Sequence, residues 1–185
     1  QKISTTTRQR LMAVHTNVTG PVSPPSFSGN CYAVIYTDSA TRMSHIYFIR
    51  SKSGVFNTLR RYRTDVTVNT GYHIKTLLSD NGGEYTGRDI STYCTHHNIH
   101  QEFTNPYTPQ DNGLAERQWR NTFPKARSII NSMDLPKQLW TETVATASHL
   151  TNLSPTATLK YDTPYHTWRT TQPDLSTLRV FGAWC

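Results

Sequence analysis

Residues 77–127 read LLSDNGGEYTGRDISTYCTHHNIHQEFTNPYTPQDNGLAERQWRNTFPKAR, and this stretch decides the fold. Asp80 follows a short apolar run, Ile74 to Leu78, and precedes Asn81-Gly82-Gly83. An apolar run bounded by turn residues reads as a buried strand. The glycines permit a tight backbone just after it. Glu116 stands in Asn112-Gly113-Leu114-Ala115-Glu116-Arg117, at the start of a helical stretch predicted from Asn112 to about Met133. One acid therefore ends a strand and the other rides the first turns of a helix. Carboxylates placed that way can converge on divalent cations, the arrangement that runs polynucleotidyl transfer without a covalent enzyme intermediate.

Working outward, Leu11 to His15 is predicted as a first strand, broken by Gly20-Pro21 and Pro24-Pro25. Cys31 to Thr37 (CYAVIYT) and Met43 to Ile49 (MSHIYFI) are β-rich and closely spaced, which suggests a hairpin turning at Asp38 to Thr41. Ser51 reads as an N-cap for a helix from Lys52 to about Tyr62, with Val55, Phe56, Leu59 and Tyr62 on one face. Residues 64–70, rich in Thr and Asn, read as a loop. Further helices are predicted over Arg88 to His97 and over 137–153, the latter with Leu139, Trp140, Val144, Ala147 and Leu150 on its apolar face. Ile99 to Phe103 is a fifth strand, Pro164 to Trp168 a short helix, and Leu178 to Phe181 a last strand or extended arm. Pro124 falls inside the long helix, where it removes a hydrogen bond and should bend the chain. The order is mixed α/β.

The chain has 185 residues, one-domain length, with 19 basic against 12 acidic residues and a net charge of +7. The surplus suits a polyanionic partner such as nucleic acid, although a solvated basic surface explains charge alone equally well. Arg60, Arg61 and Arg63 near a helix end have the same two readings, with solvation the default. The three cysteines, Cys31, Cys94 and Cys185, form no CxxC pair and point to neither a disulfide framework nor a zinc knuckle. No apolar run is long enough to span a bilayer. Asn17-Val18-Thr19 and Asn152-Leu153-Ser154 match the glycosylation sequon and are read as chance.

Ser79-Asp80-Asn81-Gly82-Gly83-Glu84-Tyr85, followed by Pro106-Tyr107-Thr108-Pro109-Gln110-Asp111-Asn112-Gly113-Leu114-Ala115-Glu116-Arg117, closely resembles the integrase catalytic core of copia-type LTR retrotransposons. His15-Thr16-Asn17-Val18-Thr19-Gly20-Pro21, Ser51-Lys52-Ser53, Thr163 to Trp168 and Arg179-Val180-Phe181-Gly182 extend the resemblance over nearly the whole chain. It implies a ribonuclease H-like fold, a five-stranded mixed sheet flanked by helices. The polar residues 1–10 read as a linker or ragged start; on that fold, 11–154 would be the catalytic core and 155–185 an extension whose abrupt end looks like a truncation. It implies Mg2+ or Mn2+ as cofactor, two ions in an active enzyme, with Asp80 and Glu116 as catalytic metal ligands. It implies DNA as partner, both element cDNA ends and target, in a homo-oligomer without a membrane role. Action in the nucleus or a virus-like particle is expected with it. Gln110, Asn112, Arg117 and Arg120 are the candidate nucleic-acid contacts, Arg120 lying one turn beyond Glu116 on the same helix face.

One departure matters most. The family usually has Asp where this chain has Asn17, and that Asp is its first catalytic metal ligand. An amide oxygen brings no charge to a bridging position. Decay or domestication, a deliberate substitution, and replacement by another acid are the competing accounts. Asp38 is the nearest other acid, but a hairpin should hold it away from the site. Glu84 is expected to face the rim. The function expected is DNA 3′-end processing and strand transfer, with a catalytically inactive nucleic-acid-binding remnant as the alternative. A ribonuclease on the same fold is a weaker third.

Overall fold

The computed structural model describes residues 9–104, 113–176 and 178–182. Strands β1 (Ala13–Thr19), β2 (Tyr32–Asp38), β3 (Ser44–Ile49), β4 (Thr76–Ser79) and β5 (His100–Phe103) form one sheet in the order β3-β2-β1-β4-β5. The β1-β2 and β2-β3 pairs are antiparallel, and β1-β4 and β4-β5 are parallel. The parallel pairs are reached through helical crossovers: α1 (Val55–Thr70) before β4, then α2 (Gly83–Thr86) and α3 (Arg88–His96) before β5. After β5 come α4 (Gly113–Ser132), α5 (Trp140–Leu153) and α6 (Pro164–Arg169). The expected five-stranded mixed sheet flanked by helices is therefore present.

Two cores sit on opposite faces. Under α1 and α3, Val14, Val34, Tyr36, Leu59, Tyr62, Leu77, Tyr85 and Ile90 pack together. Tyr36 and Tyr62 stack at 4.5 Å, and the Tyr36 hydroxyl meets Thr58 Oγ1 at 2.8 Å. Under α4 and α5, Ala33 and Ile35 pack against Ala115, Trp119, Trp140, Val144 and Ala147. Alternation along β2 explains the split, since Val34 and Tyr36 go to one face and Ala33 and Ile35 to the other.

Several expectations need correction. The first strand is Ala13–Thr19 rather than Leu11 to His15, because β2 continues alongside it as far as the Thr19–Ala33 pair. Residues 64–70 are not a loop but the last turns of α1. Val66 is buried there, and Thr64, Asn69 and Thr70 turn their side chains back to the carbonyls of Arg60, Asp65 and Val66. That bonding satisfies the polar groups without leaving the helix. The helix stops at Gly71, whose φ of 72° is left-handed and suits glycine. Ser51 makes no cap. Its hydroxyl bonds to that of Ser53, and a 3-10 turn, Lys52–Gly54, precedes α1. Leu150 is 39% exposed rather than part of the α5 face. Residues 178–182 contribute no strand. Pro124 lies inside α4, which continues past it to Ser132.

The last elements join the core. Trp168 of α6 is 2% exposed and meets the His45 ring at 5.7 Å. Asn152 of α5, read from sequence only as a chance sequon, is buried. Its amide accepts from the Ser44 N–H at 3.0 Å and donates to the Ser44 carbonyl at 2.8 Å, satisfying two backbone groups on edge strand β3.

Candidate active site

The middle of the sheet sets the first two positions. Asn17 lies in β1 opposite Ile35, so its side chain leaves the sheet on the α4 face. The parallel β1-β4 register pairs His15 with Leu78. Carried two residues forward, beyond the last paired residues, the same register would set Asp80 beside Asn17. Asp80 comes one residue after β4 and has the same parity as Leu78, which aims it toward the α4 side as well.

The turn holding Asp80 is fastened on several sides. Asp80 Oδ1 accepts from the Gly82 N–H at 3.1 Å, and Tyr85 N–H donates back to the Gly82 carbonyl at 2.9 Å. The Tyr85 ring is buried, and its hydroxyl meets Thr16 Oγ1 at 3.0 Å, tying the turn to the residue before Asn17. Burial holds the Tyr85 phenol well above its ordinary pKa, so it stays a neutral hydrogen-bonding group. Gln101 of β5 donates to the Tyr85 carbonyl at 3.1 Å.

Glu84 does not face the rim. Its side chain is 8% exposed and its Oε1 receives Lys52 Nζ at 2.9 Å. The hydrogen bond to Glu84, with the charges of Glu84 and Asp80, raises the Lys52 pKa. Gly82 lies between them. A Cβ there would stand 2.9 Å from Glu84 Oε2 and 3.0 Å from Asp80 Oδ1. The two carboxylates thus lie over one glycine, with the Lys52 ammonium beside them.

The second acid comes from the helix. Ala115 and Trp119 are buried against Ala33 and Ile35, on the sheet face that carries Asn17. Glu116, next to Ala115, keeps a half-exposed side chain, and Arg120 Nη2 stands 3.5 Å from its Oε2. Arg117 is exposed on the same turn, while Gln110 and Asn112 lie outside the described residues. Asp38 is at the far end of β2, opposite Val14, and is buried. It accepts from the Leu11 N–H at 2.8 Å and from the Thr41 N–H and hydroxyl, which accounts for it structurally.

Among the described residues, no group of three or more His, Cys, Asp or Glu side chains is arranged to hold a metal ion. If Asp80, Glu116 and Asn17 converge, two carboxylates and an amide oxygen would suit one magnesium ion, which takes few protein ligands and completes its shell with waters and phosphates. They lack the charged bridge that two ions would share. Sequence reasoning missed Lys52, Glu84 and Tyr85 as parts of this site. Their contacts are long-range, and the available signal was only that all three lie in the motifs quoted above. No helix among the described residues is long and apolar enough to cross a membrane.

Comparison with known proteins gives a consistent picture. The integrase core domain family model matches residues 9–109, a span that includes Asn17 and Asp80 and stops short of Glu116. The retrovirus-related Pol polyprotein from transposon TNT 1-94 of Nicotiana tabacum is 41% identical over 172 residues, covering 93% of this chain and 13% of the polyprotein. That from transposon RE1 of Arabidopsis thaliana is 32% identical over 154 residues, covering 83% of this chain and 10% of the polyprotein. The chain thus spans a small part of these curated relatives. Among solved structures, a simian T-cell lymphotropic virus intasome in complex with PP2A regulatory subunit B56 gamma matches with TM-score 0.71 at 14% identity, covering 92% of this chain and 60% of that one. The HTLV-2 integrase catalytic core domain in complex with magnesium matches with TM-score 0.63 at 12% identity, covering 85% and 95%. These likenesses carry the fold. With the sheet order and the family match together, the chain belongs to the integrase core domain family.

Proposed function

We propose that this chain is the strand-transfer core of a copia-type retrotransposon Pol polyprotein, built to act on DNA, with its reaction suppressed by Asn17. The observation that supports the reading is the β1-β4 register, whose His15–Leu78 pair, carried two residues on, would bring Asn17 beside Asp80, where a charged ligand is needed. Asp80 and Glu116 are the metal ligands, and Arg120, one turn from Glu116, is positioned to hold a phosphate near them. Gln110, Asn112 and Arg117 provide further DNA contacts. Backbone contacts of this type position a duplex without reading its sequence, so weak target preference follows.

Magnesium or manganese, when bound, supplies the charge that activates water or a 3′-hydroxyl and stabilises the departing oxygen. The chain's own part is to hold Asp80 rigidly, present Glu116 from α4, and keep the DNA phosphate between them. Trimming of element 3′ ends and their joining to target DNA are the reactions served. The family relationship supports action as a multimer on paired DNA ends.

The test is a strand-transfer assay with a pre-trimmed element-end duplex and manganese, run on this chain and on Asn17→Asp together. We expect product from Asn17→Asp in excess of the unaltered chain by on the order of a thousandfold, the scale on which loss of a key charge-stabilising group acts. Equal, robust product from both would sink the assignment of Asn17. Asn17 also favours a second reading, a nucleic-acid-binding remnant that keeps the frame without the reaction. DNA retention by both proteins with product from neither would establish that reading instead.

A further inference from the structure

A groove of about 470 Å³ runs between α1 and α3, on the face of the sheet opposite α4. Arg60, Arg61, Arg63, Tyr93 and His97 line it, with Asp65 as its acid. Two of the three arginines lie near aromatic rings. The Arg60 guanidinium lies over Phe56 at 5.9 Å and that of Arg61 over Tyr47 at 5.5 Å. Tyr93 packs edge-on against Phe56 at 5.6 Å and against His97 at 4.4 Å, and His96 follows at 4.7 Å. Phe56 and Tyr93 in turn pack on the core, so the floor of the groove is fixed.

The charge is not balanced locally. Asp65 stands 3.8 Å from Arg61 and also accepts from the Tyr47 hydroxyl at 3.1 Å. Among the described residues neither Arg60 nor Arg63 forms an ion pair. Partial burial, then the charges of Arg63 and His96, lower the His97 pKa. Arg60 and Arg61 remain exposed to solvent. These two lie near rings, and all three arginines border one groove. A guanidinium beside a ring can still offer N–H groups to a phosphate, and a polyanion relieves the repulsion among neighbouring cations.

We propose that the α1/α3 groove is a second nucleic-acid contact, gripping the phosphate backbone of DNA on the face away from the carboxylate site. The inference rests on the reading that this chain acts on DNA. It adds a surface that leaves the carboxylate site untouched.

The test is fluorescence anisotropy with a labelled DNA duplex, titrated at several salt concentrations. Arg60→Gln/Arg63→Gln is compared with the unaltered chain and with Lys137→Gln/Lys160→Gln, which removes equal charge from two exposed lysines outside the groove. The groove pair is expected to weaken binding about tenfold or more and to reduce the salt slope by about 2, as loss of two phosphate contacts requires. The lysine pair should change affinity by about threefold or less. Equal losses in both pairs, or no change in the groove pair, overturn the inference while leaving the proposed function standing. Failure of the unaltered chain to bind DNA overturns both. Polyglutamate competing as well as a duplex of equal charge assigns the groove to an acidic protein and overturns the inference. Hydrogen exchange on the unaltered chain provides a readout without substitutions. DNA should slow exchange in α1 and α3, and unchanged exchange there counts against the groove.

Discussion

Asp80 and Glu116 are held by the two faces of the sheet in different ways. Asp80 belongs to a turn anchored through the α1/α3 face: Tyr85 bonds to Thr16, Glu84 to Lys52, and Gln101 to the Tyr85 carbonyl. Directed polar contacts fix it. Glu116 is carried by the other face, where Ala115 and Trp119 set the depth of α4 and, among the described residues, Arg120 pairs with the carboxylate. The first arrangement is fixed by hydrogen-bond geometry and the second by packing volume. Different substitutions should therefore misplace the two acids independently.

The largest expected effect tests the packing side. Trp119→Ala removes a buried indole under α4 and should destabilise the protein by about 3–5 kcal/mol in denaturant unfolding. If the two faces act separately, Glu116 loses its position while the Gly82 amide resonance stays put. A shift at Gly82 as large as that on α4 would break the comparison.

The second effect probes the opposite face. His45 packs against Tyr62 and Trp168, and burial lowers its pKa from 6.5 to about 4, with Asp65 opposing and Arg169 assisting. The unfolded chain gains a proton as pH falls through 6.5, whereas the folded chain does so only near 4. Stability should be complete above about pH 6.5 and decline toward pH 4, by at most about 3 kcal/mol. Asp38, whose carboxyl is raised by burial against the bonds from Thr41 and Leu11, works in the opposite sense at the acid end. The difference between the unaltered chain and His45→Phe isolates the histidine, and parallel pH profiles for the two would refute it.

Smaller effects test the polar side. Tyr85→Phe removes the bond to Thr16 and leaves a buried hydroxyl without this partner, costing about 1–2 kcal/mol in thermal unfolding. The variant should loosen the Asp80 turn but not α4. Lys52→Met, at a half-exposed ion pair, should cost less than about 1 kcal/mol. It should still move the Gly82 amide resonance, because Glu84 would no longer be held over that glycine. An unmoved resonance would remove Lys52 from the set that positions Asp80.

Much of this was legible in the sequence because local rules decided it. The CYAVIYT run and its turn gave β2 and the hairpin, and an apolar run before Asn81-Gly82-Gly83 put Asp80 at a strand end. The second half of α1 was hidden, because its Thr and Asn residues bond back to their own helix, which composition does not reveal. The reach of β1 to Thr19 was hidden as well, since its partner, not its own residues, extends it. Glu84 was misread for a related reason. Its neighbour Lys52 lies on another element, and nothing in either local sequence announces that the two meet.

Trp168 has one more consequence, for the order in which the molecule can be completed during synthesis. Its ring closes a layer otherwise made by residues 11–99, and it meets His45 from the far end of the chain. A nascent chain that has released every strand of the sheet still lacks this side chain. Until α6 emerges from the ribosome, the His45 side of the layer stays open to water and to chaperones that seek apolar surface. The last short helix therefore acts as a late closing step for a core whose other parts were made long before.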